Sequence, residues 1–139
     1  MIEKFQPRIK VKICGTTSLK DAFLAVESGA DAIGFIFYKM SPRNISQKEA
    51  KEIILQLPPF IETVGVFVNE TSDKINRIAE QCKLNSIQLH GEESPALCRR
   101  VKRKVIKAFR VKNADSLKSI ASYDVSGFLL DSYNGGSKG

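Results

Sequence analysis

Short runs of β-branched and aromatic residues alternate along this chain with longer amphipathic stretches, and roughly twenty residues separate one run from the next. The apolar runs are Ile9–Cys14, Ala32–Phe37, Thr63–Val68, Ser86–Leu89, Val105–Phe109 and Gly127–Leu130. The stretches between them predict helices over Leu19–Ser28, Gln47–Leu57, Thr71–Cys82, Ser94–Val101 and Ala114–Ser122. Strands that alternate with helices pair in parallel, so the chain is expected to form an α/β fold with helices over the outer face of its sheet.

Start and stop signals support these helices. Ser46 with Glu49 three residues later forms a capping box, and Gly29 follows the first helix as a stop. Pro58-Pro59 is expected to end the second helix. Further N-caps are expected at Ser18, Thr71 and Ser94.

Two architectures use this alternation: an open doubly wound sheet and a closed eight-stranded barrel. The turn after the first strand reads Cys14-Gly15-Thr16-Thr17, without the Gly-x-Gly of dinucleotide-binding sheets. Alternate residues of a strand share a face, so Lys12 and Cys14 lie together, as do Leu129 and Asp131. Polar residues on one face of several strands favour a barrel interior that opens to a site.

Composition narrows the function classes. The chain has 139 residues, enough for one domain, and 42% of them are hydrophobic, which favours a folded globular protein. Three scattered cysteines and a single histidine argue against a disulfide framework and against a zinc site, and they fit a reducing compartment. We therefore expect a cytoplasmic protein with no bound metal and no membrane segment.

The net charge of +7 raises the alternative of a nucleic-acid-binding module. The one dense basic run, residues 99–104, lacks interleaved aromatic residues. It is more typical of a solvated helix end, so we expect no nucleic-acid partner.

Functional side chains of parallel barrels lie where strands end and the following loops begin. Five residues stand at such ends: Cys14, Arg43, Asn69, His90 and Asp131. Each also has a structural explanation, because a cysteine is commonly an inert buried thiol and an aspartate can cap a helix. Arg43 is either a solvated loop cation or a planar fork for a carboxylate or phosphate. The lone histidine and the asparagine are more often structural than catalytic.

A series of short motifs resembles the phosphoribosylanthranilate isomerase family. The motifs occur in order along essentially the whole chain: Lys12-Ile13-Cys14-Gly15, Gly29-Ala30-Asp31-Ala32-Ile33-Gly34-Phe35, Ser41-Pro42-Arg43, Val64-Gly65-Val66-Phe67-Val68-Asn69, Gln88-Leu89-His90-Gly91, Ile106-Lys107-Ala108-Phe109 and Leu129-Leu130-Asp131. Any one of them is a weak signal, whereas the ordered series is specific.

The resemblance implies a TIM barrel that rearranges N-(5-phosphoribosyl)anthranilate to 1-(2-carboxyphenylamino)-1-deoxyribulose 5-phosphate in tryptophan biosynthesis, without a cofactor. It implies that Asp131 is the general acid of ring opening and that Cys14 is the general base at C2′. It also implies that Arg43 and His90 bind the small anionic substrate, Arg43 through the anthranilate carboxylate.

The chain departs from the family at its end, where Gly135-Gly136-Ser137 is followed by Lys138 and Gly139. We expect residues 1–139 to be a single, incomplete barrel domain that stops after the sixth strand, without the loops that usually bind phosphate. The alternatives are an inactive remnant that self-associates through open sheet edges, or another phosphate-sugar barrel isomerase. On this interpretation the chain alone has little or no activity.

Overall fold

A computed structural model describes residues 8–132 and contains one six-stranded sheet. The strands are β1 (Lys12–Cys14), β2 (Ala32–Ile36), β3 (Glu62–Phe67), β4 (Ser86–Leu89), β5 (Lys104–Val111) and β6 (Gly127–Ser132). The α-helices are α1 (Leu19–Glu27), α2 (Gln47–Ile54), α3 (Ser72–Cys82) and α4 (Pro95–Arg100). The Gly135-Gly136-Ser137 motif, at which the chain departs from the family, lies outside the described residues.

Each strand pairs in parallel with the next strand of the chain, in the order β1-β2-β3-β4-β5-β6. Every expected strand is present, with ends that shift by up to three residues. The prediction of sequential parallel strands is confirmed. An antiparallel pair or a reversal of strand order would have contradicted it.

The helix boundaries follow their capping residues. The Ser46 side chain accepts from the Glu49 backbone and the Glu49 carboxylate accepts from Ser46, which completes the predicted capping box. Gly29 has a φ of +93° and ends α1 with two backbone bonds, Gly29 N–H to Val26 at 2.9 Å and Ala30 N–H to Ala25 at 3.0 Å. This bond pair is the Schellman motif, which needs a residue that tolerates a left-handed backbone.

The second helix ends at Ile54, earlier than the predicted Leu57. The residue before a proline is disfavoured in the α conformation, and Leu57 precedes Pro58. The last turn loosens accordingly, since the amides of Gln56 and Leu57 bond to carbonyls three residues back.

The predicted helix over Ala114–Ser122 is wrong. Two short 3₁₀ helices, Ala114–Leu117 and Ile120–Ser122, occupy this stretch, and neither has a buried residue. A short helix in a protein is stabilised chiefly by an apolar face that packs on the core. Where such a face is missing, local hydrogen bonds determine the backbone conformation. Examples are the bonds from the Lys112 and Asn113 amides to the Ser116 hydroxyl.

The two faces of the sheet differ in chemistry. Apolar side chains of the outer face, such as Phe35, Phe67 and Leu89, are fully buried against the helices. The inner face also carries polar side chains, and Gln88 is only 2% exposed there. The Lys12 ammonium on β1 donates to the Gln88 amide oxygen on β4 at 2.6 Å. A flat sheet would hold strands three apart at a separation of about 14 Å, so this contact requires the sheet to curl into part of a barrel.

The basic run at residues 99–104 is mostly exposed, as expected of a solvated helix end. Among its basic residues Arg103 is the exception, because its guanidinium donates to the Leu84 carbonyl at 3.1 Å and to the Glu80 carboxylate at 2.6 Å. Within residues 8–132 no helix has the length and apolar character needed to cross a bilayer.

A buried ion pair ties together the loops that follow β3 and β4. The Lys107 ammonium lies 3.1 Å from the Glu93 carboxylate, and their side chains are 3% and 0% exposed. The carboxylate also accepts from the backbone amides of Asn69 and Gly91, both at 2.9 Å. Lys107 donates further to the Gly91 carbonyl at 2.7 Å. One carboxylate therefore sets the positions of two strand-end loops.

Glu93→Gln keeps the shape of this side chain but leaves the Lys107 ammonium buried without its counter-ion. Breaking a buried pair from one side costs about 3–5 kcal/mol, so we expect a loss near the lower end of that range, because backbone carbonyls still bind Lys107. Urea unfolding measures the change in the free energy of unfolding. Replacing both partners, as in Glu93→Gln with Lys107→Met, should recover part of the loss.

The matched control for this prediction is Asp115→Asn, which breaks the exposed Lys118–Asp115 pair. Exposed pairs contribute roughly 0–1 kcal/mol, so this variant should unfold close to the parent chain. Equal losses in the two single variants would contradict a central role for Glu93.

Candidate active site

A cavity of about 340 Å³ opens at the carboxyl ends of the strands, on the inner face of the sheet. All four predicted site residues line it: Cys14, Arg43, His90 and Asp131. Its other lining residues are Lys12, Ile36, Tyr38, Val66, Val68, Gln88, Arg110 and Leu129. The lining therefore combines apolar side chains with several ionisable groups.

Cys14 is the last residue of β1 and its thiol lies against Gly34 of the neighbouring strand. A Cβ at position 34 would come within 2.9 Å of the Cys14 sulfur, so glycine there makes room for the thiol. Cys14 is partly exposed, whereas Cys82 and Cys98 are buried. The one cysteine that reaches the cavity is therefore the one that the family resemblance selects.

Arg43 lies in the loop after β2 and is held against the chain that follows Cys14. Its guanidinium donates to the Cys14 carbonyl at 3.0 Å. Gly15, at φ +83°, allows this approach, since a Cβ at that position would lie 2.7 Å from the Arg43 Cδ. Arg43 is exposed to solvent, but this bond and the tight contact give its planar fork a defined place at the rim of the cavity.

Asp131 belongs to a chain of hydrogen bonds that crosses the inner face. The Lys12 ammonium donates to Gln88 at 2.6 Å, and the Gln88 amide nitrogen lies 2.9 Å from Nδ1 of His90. His90 Nε2 lies 3.1 Å from Oδ2 of Asp131. Residues of β1, the end of β4 and β6 are thus linked by side chains alone.

Asn69 lines no part of this cavity. Its backbone is left-handed at φ +51°, and its side-chain oxygen accepts from the Glu92 amide at 2.7 Å. A Cβ on Gly91 would lie 2.4 Å from that oxygen. Asn69 shapes the junction of two loops, as the structural explanation of this residue expects.

Arg110 is a functional candidate that was not predicted from the sequence. The predicted fifth strand stopped at Phe109, whereas β5 continues to Val111. On the longer strand Arg110 shares a face with Ala108 and lines the cavity. Extending the alternation by one residue would have found it.

Gln88 of β4 also lines the cavity, and its hydrogen bonds to Lys12 and His90 were not predicted from the sequence. Among residues 8–132, no three histidine, cysteine, aspartate or glutamate side chains come together in a way that could hold a metal ion.

The sequence matches the family model described as N-(5'phosphoribosyl)anthranilate (PRA) isomerase over residues 11–139. The N-(5'-phosphoribosyl)anthranilate isomerase of Citrifermentans bemidjiense is 56% identical over 130 residues, which make up 94% of this chain and 63% of that protein. The isomerase of Pelobacter propionicus is also 56% identical, over 91% of this chain and 60% of the relative. This chain thus spans about three fifths of the length of these relatives.

Solved structures of this isomerase are similar to the chain as well. The phosphoribosyl anthranilate isomerase of Thermotoga maritima superposes with a TM-score of 0.87 at 44% identity, over 94% of this chain and 64% of that one. A phosphoribosyl anthranilate isomerase in complex with reduced 1-(o-carboxyphenylamino)-1-deoxyribulose 5-phosphate also gives 0.87, at 47% identity, over 91% of this chain and 66% of that one. The curled parallel sheet is therefore part of a TIM barrel.

The different burial of the three cysteines predicts selective alkylation of Cys14 by iodoacetamide in the folded protein. Burial raises the pKa of the Cys82 and Cys98 thiols, so near pH 8 each holds its proton more firmly than a free cysteine does. Only the thiolate reacts, and both side chains are also shielded from the reagent. Mass spectrometry of the labelled peptides should find the modification at Cys14.

Labelling in denaturant serves as the control and should modify all three cysteines. Fast native labelling of Cys82 or Cys98 would contradict the burial of these thiols.

Proposed function

The chain belongs to the N-(5'-phosphoribosyl)anthranilate isomerase family, and from that premise we propose that it carries the acid–base centre of this isomerase. The reaction is the Amadori rearrangement of N-(5'-phosphoribosyl)anthranilate. Asp131 is the general acid, Cys14 is the general base, and Arg43 binds the substrate. The observation that carries the proposal is that these three residues, from β1, the loop after β2, and β6, line one cavity.

The first step needs a proton donor at the furanose ring oxygen. The anilinic nitrogen forms a double bond to C1′ while the bond from C1′ to the ring oxygen breaks, and that oxygen takes the proton of Asp131. The Asp131 side chain is 41% exposed at the cavity, so a bound sugar can reach it. Positioned acids of this kind contribute about 10²- to 10⁴-fold in rate.

The second step needs a base on the other side of the sugar. The Cys14 thiolate takes the proton from C2′, the resulting enolamine forms, and its conversion to the ketone completes the rearrangement. Cys14 suits this role because its sulfur reaches the cavity beside Gly34, while the other two cysteines are buried in the core. A thiolate is the reactive form of cysteine.

Arg43 supplies the charge that the anthranilate carboxylate requires. Its guanidinium lies at the rim next to the backbone of Cys14, which would bring the aromatic ring of the substrate over the base. A planar fork binds a carboxylate with two parallel hydrogen bonds. His90 is proposed to contact the substrate from the wall of the cavity, and both of its ring nitrogens already have protein partners.

Relatives support the small phosphorylated substrate. One isomerase of known structure binds a reduced form of the product, 1-(o-carboxyphenylamino)-1-deoxyribulose 5-phosphate. In parallel barrels the phosphate usually lies at loops after the seventh and eighth strands. We therefore assign proton transfer and carboxylate binding, rather than the phosphate contact, to the described residues.

The catalytic pair is tested by Cys14→Ala and Asp131→Asn in a fusion protein. In this fusion, the present chain is joined to the part of the Citrifermentans bemidjiense relative that lies outside the matched 130 residues. Each change should lower kcat by about 10²-fold or more with a much smaller effect on KM, because proton transfer acts in the transition state. Product formation in a continuous assay gives both constants. A variant that retains kcat would remove that residue from the mechanism, and the unchanged fusion is the control.

The carboxylate contact is tested by Arg43→Lys in the same fusion. Lysine keeps the charge but loses the two-pronged geometry, so KM should rise about tenfold while kcat changes less. Lys39→Arg, in the same loop, is the control for a basic exchange outside the cavity. An unchanged KM in Arg43→Lys would contradict the carboxylate contact and would favour the alternative that Arg43 is a solvated loop cation.

A further inference from the structure

We propose that Gln88 and Lys12 are positioning residues for the acid: they hold His90 as its Nε2–H tautomer, and the proton that Asp131 transfers therefore resides on Oδ1. The inference rests on the proposed role of Asp131 and deepens it. It assigns a function to two polar inner-face residues that the acid–base pair alone does not explain.

The lysine end of the hydrogen-bond chain determines how the Gln88 amide is oriented. An ammonium group has three donors and no acceptor, so of the two polar atoms of the Gln88 amide only the oxygen can face it at 2.6 Å. This hydrogen bond fixes the orientation of the Gln88 amide, with its oxygen toward Lys12 and its nitrogen toward His90. Gln88 is 2% exposed, and a flipped amide would place two donors against each other in a buried place.

The orientation of the amide fixes the tautomer of the histidine. The Gln88 nitrogen can only donate, so Nδ1 of His90, 2.9 Å away, must present its lone pair. A neutral imidazole with an unprotonated Nδ1 carries its proton on Nε2.

The tautomer then distinguishes the two oxygens of Asp131. His90 Nε2–H donates to Oδ2 at 3.1 Å, so that oxygen acts as an acceptor and cannot also carry a proton directed at the ring. Within residues 8–132 no protein group donates to Oδ1. A protonated Asp131 therefore carries its hydrogen on Oδ1, free for a sugar in the cavity that Asp131 lines.

The tautomer can be observed directly, because His90 is the only histidine of the chain. With ¹⁵N-labelled histidine, a long-range ¹H–¹⁵N correlation spectrum contains one imidazole, and its two nitrogen signals distinguish Nδ1–H from Nε2–H. At about pH 8, where an imidazole is ordinarily neutral, we expect a single Nε2–H tautomer with an unprotonated Nδ1 signal. A spectrum dominated by Nδ1–H, or an averaged mixture, overturns the proposal.

Gln88→Glu gives the sharpest variant, since it changes one amide nitrogen to oxygen. The new carboxylate still accepts from Lys12 but cannot donate to His90, so Nδ1 should acquire a proton and its signal should change to the protonated type. Gln81→Glu, at an exposed position of α3, introduces the same charge and should leave the His90 spectrum unchanged. An unchanged spectrum in Gln88→Glu overturns the proposal.

Lys12→Met provides a second test that does not depend on a buried carboxylate. Without the ammonium the Gln88 amide can turn, and both tautomers of His90 should appear in a chain that keeps the parent far-UV circular dichroism. Retention of a pure Nε2–H tautomer would show that Lys12 does not orient the amide.

Kinetics separate this inference from the function on which it rests. In the fusion with the relative's segment, Gln88→Glu should lower kcat by about 10- to 100-fold with little change in KM, a part of the effect of removing the acid. If Asp131→Asn leaves kcat unchanged, the proposed function fails whatever the tautomer is. If Asp131→Asn abolishes turnover while His90 is Nδ1–H, the function stands and the positioning role fails.

Discussion

The parallel pairing of each strand with its successor is the constraint on which the rest of this structure depends. Parallel neighbours need a crossover, so a connection that returns along the outer face must separate each pair of strands. The same pairing brings the carboxyl ends of β1 to β6 to one edge of the sheet. Residues that are far apart in the chain, such as Cys14 and Asp131, therefore open on one cavity.

Curling of the sheet gives its inner face a chemistry that a flat sheet could not support. Lys12 and Gln88 meet across three strand spacings, and His90 continues the contact to Asp131. In such a chain each donor or acceptor determines the orientation of the next group, because buried polar groups are costly to leave unpaired. The inner face thus acts as a connected polar network beside an otherwise apolar wall.

A second polar centre lies on the outer face of the sheet and fixes two of the loops that follow the strands. Glu93 and Lys107 are buried together, and Glu93 also binds the backbone of two strand-end loops. Burying two charges is expensive, and the additional hydrogen bonds of this pair offset part of that cost while they define the geometry of the two loops. That geometry holds His90 and its neighbours at the edge where the cavity opens.

The amino-acid sequence by itself determined the strands, the capped helices and the inward positions of Cys14 and Asp131, because these follow from periodicity and from contacts within a few residues. It failed at Ala114–Ser122, where helix-forming residues have no core to pack against. Only the tertiary structure decided the pairing of Lys12 with Gln88, since 76 positions separate them and their contact depends on how strongly the sheet curls. The place of Arg110 in the cavity and the burial of the Glu93–Lys107 pair were decided in the same way, because a side chain's partners depend on which elements the curled sheet brings opposite it.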